Sequence, residues 1–457
     1  MGAFGIWRDA RRTRRRGRDE VQRRQRERLA DAVAHARAAS PYYRELYADL
    51  PSRVEDPGLL PVTDKRALMA RFDDWTTDPD VTLDKARAFT SDAALVGAKF
   101  LDKYLVTTTS GTTGNMGIFI HDDNTLATAT ALVADRALRG SGGFGFGTIL
   151  KLMARGGRSV KIAGTGGHFA AAAAEMSARR NSKRRAKMVR LLSVQSPIPT
   201  LVSELNAFRP AILETYASVG LLLAGEQEAG RLRIAPVRVA LQGEGLPDKE
   251  YERIARAFGC QVSSSYGCNE CVVLSYQCGE GWYHINEDWV IFEPVDADHS
   301  PTPPGELSHT VLLSTLFKRE QPILRYDLGD SVIQRPGPCA CGSPFMAVKV
   351  RGRASSVLTF PTADGRSVDI VPLLLETAVE RVGGIELFQI VQAAPEVLRV
   401  RLLTVDGRDA AAVGASVCDE LAKILAEHDL SNVRVEPDDE PPRQSGGGKF
   451  RTVVPLP

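Results

Sequence analysis

The residue types best suited to chemistry sit in the run Thr107-Thr108-Thr109-Ser110-Gly111-Thr112-Thr113-Gly114. Its glycines let backbone N–H groups turn towards an anion, and its dense hydroxyls add donors for phosphate oxygens. The run lacks the Gly-Lys-Ser/Thr ending of a Walker loop, so a P-loop NTPase is excluded. A Ser/Thr-rich structural turn is the plain alternative. Just before it, Tyr104 to Thr108 is β-prone, and a strand that enters a glycine turn is where α/β proteins place phosphate sites.

Further segments follow in a fixed order: Gln242-Gly243-Glu244-Gly245, Ser265-Tyr266-Gly267-Cys268-Asn269-Glu270, Arg325-Tyr326-Asp327-Leu328-Gly329-Asp330, Val350-Arg351-Gly352-Arg353 and Ser445-Gly446-Gly447-Gly448-Lys449-Phe450-Arg451. Together with the first run, this series resembles the adenylate-forming superfamily, whose phosphate loop has the form Thr-Ser-Gly-Thr-Thr-Gly. The resemblance spans the chain from about residue 30 to its end, and it implies roles. Thr109, Ser110, Gly111, Thr112, Thr113 and Gly114 would hold the phosphates of ATP, with Thr109 among the catalytic groups. Gly243, Glu244 and Gly245 would form the adenine-side loop, and Ser265, Tyr266 and Gly267 the segment in which Tyr266 stacks near adenine. Glu270 would help hold Mg²⁺, Asp330 would accept hydrogen bonds from both ribose hydroxyls, Arg353 would close the large domain, and Lys449 would be the catalytic lysine.

Within that superfamily, Gly281 to Asp288 and Gln321 to Tyr326 look most like phenylacetate-CoA ligases. The implied reaction activates a small, aromatic carboxylic acid as an acyl-AMP and passes it to CoA, releasing AMP and pyrophosphate. Readings that keep adenylation and change the partners are an amide or carrier-protein ligase and a diazotase that activates nitrite for an arylamine. A non-catalytic nucleotide-binding protein is a further alternative. Two features depart from the family pattern: Asn115-Met116-Gly117 stand where relatives usually offer Pro and Lys, and Ser355-Ser356 replace the acidic pair often found at the hinge.

The chemistry explains why such residues are needed. Attack of a carboxylate on the α-phosphorus joins two anions, so charge must be neutralised by Mg²⁺ on Glu270, donors from 109 to 114 and Lys449. The glycines at 446 to 448 would let the lysine loop approach and leave as the small domain alternates between two half-reactions. Tyr216 and His168 are the candidates for lining the acid pocket, although a histidine is more often a core or surface residue.

Seven cysteines, six of them between 260 and 341, suggest metal binding or a reduced compartment rather than a disulfide scaffold. Cys339 and Cys341 form a tight two-thiol turn, and Cys278 with His284 completes a Cys₃His set suited to structural zinc, because four protein ligands leave no open position. Unconnected buried cysteines are the plain alternative. Cys268 and Cys271 have zinc-like spacing but flank Glu270, so they are left out of the metal set.

These residues must be positioned by a chain of 457 residues, 43% hydrophobic and 25% charged, which suffices for two domains and excludes wholesale disorder. The expected fold class is α/β. A large N-terminal domain over 1–352, with parallel α/β sheets and a smaller antiparallel β region, would precede a small mobile α+β domain over 353–457. Residues 187 to 228 read as largely helical, with short strands at 235–241 and 260–264. Beyond residue 353, strands are expected at 357–360, 387–391 and 398–403, with helices at 372–382 and 410–428. Eleven arginines between 8 and 28 read as a solvated, basic helical extension over 1–30. A net charge of +2 gives no bias towards nucleic acid or membranes, and no apolar run is long enough to span a bilayer. The expectation is a cytoplasmic monomer or homodimer with small-molecule partners.

Overall fold

The structure is a computed structural model that describes residues 2–109, 116–137, 146–243, 248–350, 358–370, 372–404, 408–443 and 452–456. Among them, a parallel sheet organises the site. Its five strands lie in the spatial order Val189–Ser193, Ser159–Ala163, Ile212–Tyr216, Arg238–Gln242, Gln261–Ser265, each parallel to its neighbour. Helices Ala170–Arg180, Ile198–Phe208, Ala217–Glu228 and Asp248–Phe258 lie between strands in the chain. The first connection steps to one side of Ser159–Ala163 and the later ones to the other. The strand order therefore reverses between Ser159–Ala163 and Ile212–Tyr216, at the kind of crevice where open α/β sheets bind ligands.

Two strands of this sheet, Val189–Ser193 and Ile212–Tyr216, fall inside the stretch that reads as helical in the sequence. Both are five-residue segments of mixed polarity flanked by helix-forming segments, and periodicity over so few residues does not separate a strand from a helix turn. The expected strands near 238 and 261 are present, as are those near 358, 388 and 398 and the helices Pro372–Glu380 and Ala410–Glu427.

The run that begins at Thr107 leaves a strand, as its β-prone approach implies. Tyr104–Thr108 pairs antiparallel with Ile118–His121, with Thr108 opposite Ile118. Beyond the ladder, the Thr109 N–H donates to the Gly117 carbonyl at 2.9 Å, and the Gly117 N–H donates to Thr109 Oγ1 at 2.8 Å. The two strands and the Thr109–Gly117 pair thus form one antiparallel hairpin ladder. Both flanking strands are buried along their whole length, so each is carried by its neighbours rather than by an amphipathic helix.

The antiparallel region comprises a four-stranded sheet built from 332–334, 347–350, 283–285 and 275–277, and a three-stranded sheet built from 290–295, 310–315 and 326–327. At the C-terminal end, 434–438, 397–404, 385–394 and 453–454 form a mixed sheet beside a 358–361/367–370 hairpin. Two large apolar clusters hold these parts. One joins the N-terminal helices, the 104–121 hairpin and the antiparallel sheets. The other joins the parallel sheet to residues 358–453.

The arginine-rich N-terminus is helical, as expected, and most of its arginines are exposed, but its apolar face packs on the body of the fold. It forms two helices, Ala3–Arg16 and Arg18–Ala39, broken at Gly17, whose φ of +88° suits glycine. Leu29, Ala32, Val33 and Ala36 recur at helical spacing and are buried. Several of the arginines are partnered: Arg14 Nε reaches Asp135 Oδ2 at 3.0 Å, Arg24 pairs with Asp9 at 2.9 Å, and Arg18 with the buried Glu287. The Arg28 guanidinium carbon sits 3.5 Å from the Trp289 ring centroid. Fully buried Arg136 extends this network, donating to Asn286 Oδ1 at 2.7 Å and to Asp288 Oδ2 at 2.5 Å. No helix among the described residues is long and apolar enough to cross a membrane.

Candidate active site

The carboxyl edge of the parallel sheet collects most of the described site residues. Tyr216 ends one central strand, and its hydroxyl lies 3.5 Å from the Gly164 N–H, just beyond the neighbouring strand. Tyr216 therefore stands at the reversal point of the sheet. Gly243 follows the next strand at a φ of +78°, and a Cβ there would lie 2.7 Å from the Tyr216 ring. Only glycine permits that approach. Ser265 ends the edge strand, and Tyr266, Gly267 and Glu270 follow it.

Two hydrogen bonds tie this edge to the antiparallel region. The Tyr266 hydroxyl donates to Asp330 Oδ2 at 2.8 Å, and the Tyr326 hydroxyl donates to Glu270 Oε1 at 3.0 Å. Asp330 and Glu270 are both buried, at 3% and 6% exposure, so these carboxylates are oriented rather than left to solvent. The Tyr266 ring is held on two sides, 6.1 Å from Tyr283 and edge-on to Phe292 at 6.2 Å, and its carbonyl accepts from Ser275 Oγ. The hairpin joins the same edge: the Thr108 N–H donates to the His168 carbonyl at 2.8 Å.

His168 contributes through its backbone. Its side chain is 1% exposed, packs 5.2 Å from Phe89 and faces the Asp92 carbonyl at 3.3 Å. Burial lowers its basicity, and these contacts are those of a core histidine. Ser110, Gly111, Thr112, Thr113, Gly114, Glu244, Gly245, Arg353 and Lys449 lie outside the described residues.

Three groups near the site carry no motif signal. Lys318, 3% exposed, stands beside Glu270, Cys268 and Cys271, and burial pushes its ammonium down to about 8. His121, on the hairpin, contacts Thr107 Oγ1 at 2.9 Å through Nε2, and complete burial holds its imidazole well below the usual range. Lys65 runs past the hairpin turn, its Cδ 3.3 Å from where a Gly117 Cβ would sit. Sequence spacing could not have found them, because each is a lone side chain brought in by tertiary packing.

The cysteine-histidine set gathers in a separate place. Sγ of Cys278, Cys339 and Cys341 and one ring nitrogen of His284 all lie within 4.8 Å of one another. The Cys278 and Cys339 sulfurs are 3.8 Å apart, and Cys341 Sγ is 3.2 Å from His284 Nε2. Tetrahedral zinc with Zn–S bonds of about 2.3 Å needs sulfurs roughly 3.8 Å apart. His284 Nδ1 lies 3.0 Å from the Phe345 carbonyl, which fixes the ring and leaves Nε2 for a metal. The donor set and its spacing therefore suit zinc, and the raised pKa values of Cys278 and Cys341, about 12 for the latter, reflect burial first.

This architecture is the fold of the adenylate-forming superfamily. Over 96% of the chain and 89% of a solved 2-hydroxyisobutyryl-CoA ligase, in complex with 2-HIB-AMP and CoA in the thioesterification state, the TM-score is 0.56 at 16% identity. The same ligase in the postadenylation state with R3-HIB-AMP gives 0.53 at 17% identity, with the same coverage. Among curated proteins, the phenylacetate-coenzyme A ligase of Thermus thermophilus is 26% identical over 183 residues, 38% of this chain and 39% of that protein. Protein CapK of Staphylococcus aureus is 26% identical over 133 residues, 29% of this chain and 28% of its own length. The chain thus matches well under half the length of these curated relatives. No protein-family model matches the chain.

Proposed function

We propose that the chain is an ATP-dependent, adenylate-forming ligase that activates a small, aromatic carboxylic acid as its acyl-AMP and transfers the acyl group to CoA. The observation that carries this reading is the Tyr266–Asp330 hydrogen bond at the carboxyl edge of the parallel sheet, with Glu270 held alongside by Tyr326. One phenol and one oriented carboxylate in that relation suit an adenine ring and its ribose hydroxyls. Tyr216, at the reversal point of the sheet with Gly243 packed close against its ring, lines the acid pocket next to the nucleotide in this reading. His168 supports the hairpin through its carbonyl.

Glu270 is the carboxylate that would hold Mg²⁺, which when bound neutralises phosphate charge. Thr109 keeps the hairpin turn closed, and residues 110–114 supply phosphate donors. Lys449 acts from the C-terminal domain, 353–457, which alternates between the two half-reactions around the 1–352 domain. Cys278, His284, Cys339 and Cys341 hold a structural zinc that ties 278–284 to 339–341. The names of two relatives, a phenylacetate-coenzyme A ligase and a 2-hydroxyisobutyryl-CoA ligase, support CoA as acceptor.

The test is pyrophosphate release with ATP and Mg²⁺ across aryl and alkyl carboxylic acids and nitrite, each with and without CoA, with products identified by mass spectrometry. Acid-dependent release ending in an acyl-CoA is expected. Release with nitrite alone, or an adenylate captured only by an amine, would replace the substrate or acceptor in this reading.

A further inference from the structure

We propose that Lys318 is an anion-binding residue of this site, its ammonium taking an oxyanion of the bound substrates; the proposal rests on the adenylating reading above. Lys318 follows the strand Thr310–Thr315 and leads into Gln321. Gln321 clamps the segment to the hairpin, accepting from the Ile120 N–H at 2.7 Å and donating to the Ile118 carbonyl at 3.2 Å. The lysine arm is thereby laid against the hairpin, with Nζ 5.4 Å from the Phe119 ring centroid. Phe119 pairs directly with Thr107, and side chains alternate along a strand, so Lys318 lies on the face that Thr109 continues.

At that position the ammonium has no hydrogen-bond partner among the described residues, although its Nζ is buried from solvent. The ionisable groups in electrostatic reach of it are Cys271, Glu270, Cys268, Glu320 and His121. One oxygen of Glu270 is already engaged by Tyr326. A desolvated ammonium without a hydrogen-bonded counter-ion is retained against the pull of stability, and a ligand that brings its own negative charge supplies the missing partner. The sequence adds a reason: the turn after Gly114 reads Asn115-Met116-Gly117 and contributes no cation of its own.

The oxyanion has two sources, a phosphate of ATP or the carboxylate of the acid. Calorimetric titration of the full chain and of Lys318→Met and Lys318→Arg, first with ATP–Mg²⁺ and then with phenylacetate, separates them. Thermal unfolding of each variant is run in parallel. If the ammonium holds phosphate, Lys318→Met weakens ATP–Mg²⁺ about 10- to 100-fold, the worth of a hydrogen bond to a charged group. Lys318→Arg then recovers part of that loss. If it holds the carboxylate, the loss falls on phenylacetate. In either case Lys318→Met unfolds no earlier than the parent. A folded Lys318→Met protein that binds both ligands within about twofold of the parent, a difference under half a kcal/mol, overturns the proposal. A parent that binds neither ligand contradicts the adenylating reading itself.

Discussion

The Tyr266 hydroxyl and Asp330 Oδ2 are 2.8 Å apart, so residues 64 positions apart in the chain act as one unit. Tyr266 follows the last strand of the parallel sheet and Asp330 follows the last strand of the three-stranded antiparallel sheet. The bond closes the seam between them. Tyr266→Phe is expected to weaken nucleotide binding by about 1.5 kcal/mol, and Asp330→Ala by more, since it also removes the ribose acceptor. Titration with ATP–Mg²⁺ measures both, and equal small losses would separate Asp330 from the nucleotide.

Gly243→Ala is expected to cost about 1 to 3 kcal/mol of local strain, because φ is +78° and the new Cβ meets the Tyr216 ring at 2.7 Å. Part of that cost should disappear in Gly243→Ala/Tyr216→Ala. Chemical unfolding of the single and double variants reads the coupling.

Zinc content by mass spectrometry should be one per chain. Cys339→Ser should lose the metal and lower the unfolding temperature, and chelation of the parent should do the same. Retention of full zinc by Cys339→Ser would remove it from the ligand set.

His121 sets a pH dependence whose sign is determined by burial. Its folded pKa lies well below 6.5, so the unfolded chain takes up a proton near 6.5 that the folded chain refuses. Stability from this group is present above 6.5 and falls by about 1.4 kcal/mol per pH unit below it, until the folded pKa is reached. His121→Gln should flatten the difference in urea stability between pH 7.5 and 5.5, while the other histidines cancel in the comparison.

Arg136→Ala should destabilise the fold by about 3 to 5 kcal/mol, since it leaves Asp288 charged and buried without its partner.

Two of the five strands of the parallel sheet were legible in the sequence. The strands at Arg238–Gln242 and Gln261–Ser265 read as short strands separated by a helix, whereas Val189–Ser193 and Ile212–Tyr216 are hidden among helix-forming neighbours and Ser159–Ala163 lies in a glycine-flanked stretch that reads as a loop. The cysteine-histidine cluster was legible from its residue types: Cys278, His284, Cys339 and Cys341 do converge. The environment of the arginines was not. That Arg14, Arg18 and Arg28 serve Asp135, Glu287 and Trp289 depends on partners more than 100 residues away. Lys318 was invisible for the same reason, as its neighbours Glu270 and Phe119 come from distant segments.

The central claim is adenylate formation, and exchange of labelled pyrophosphate into ATP tests it without any acceptor. With a carboxylic acid and Mg²⁺ present, label should enter ATP, the exchange should need the acid, and Asp330→Ala should weaken it. Exchange that appears with no carboxylic acid, only with nitrite or with neither, would contradict the account.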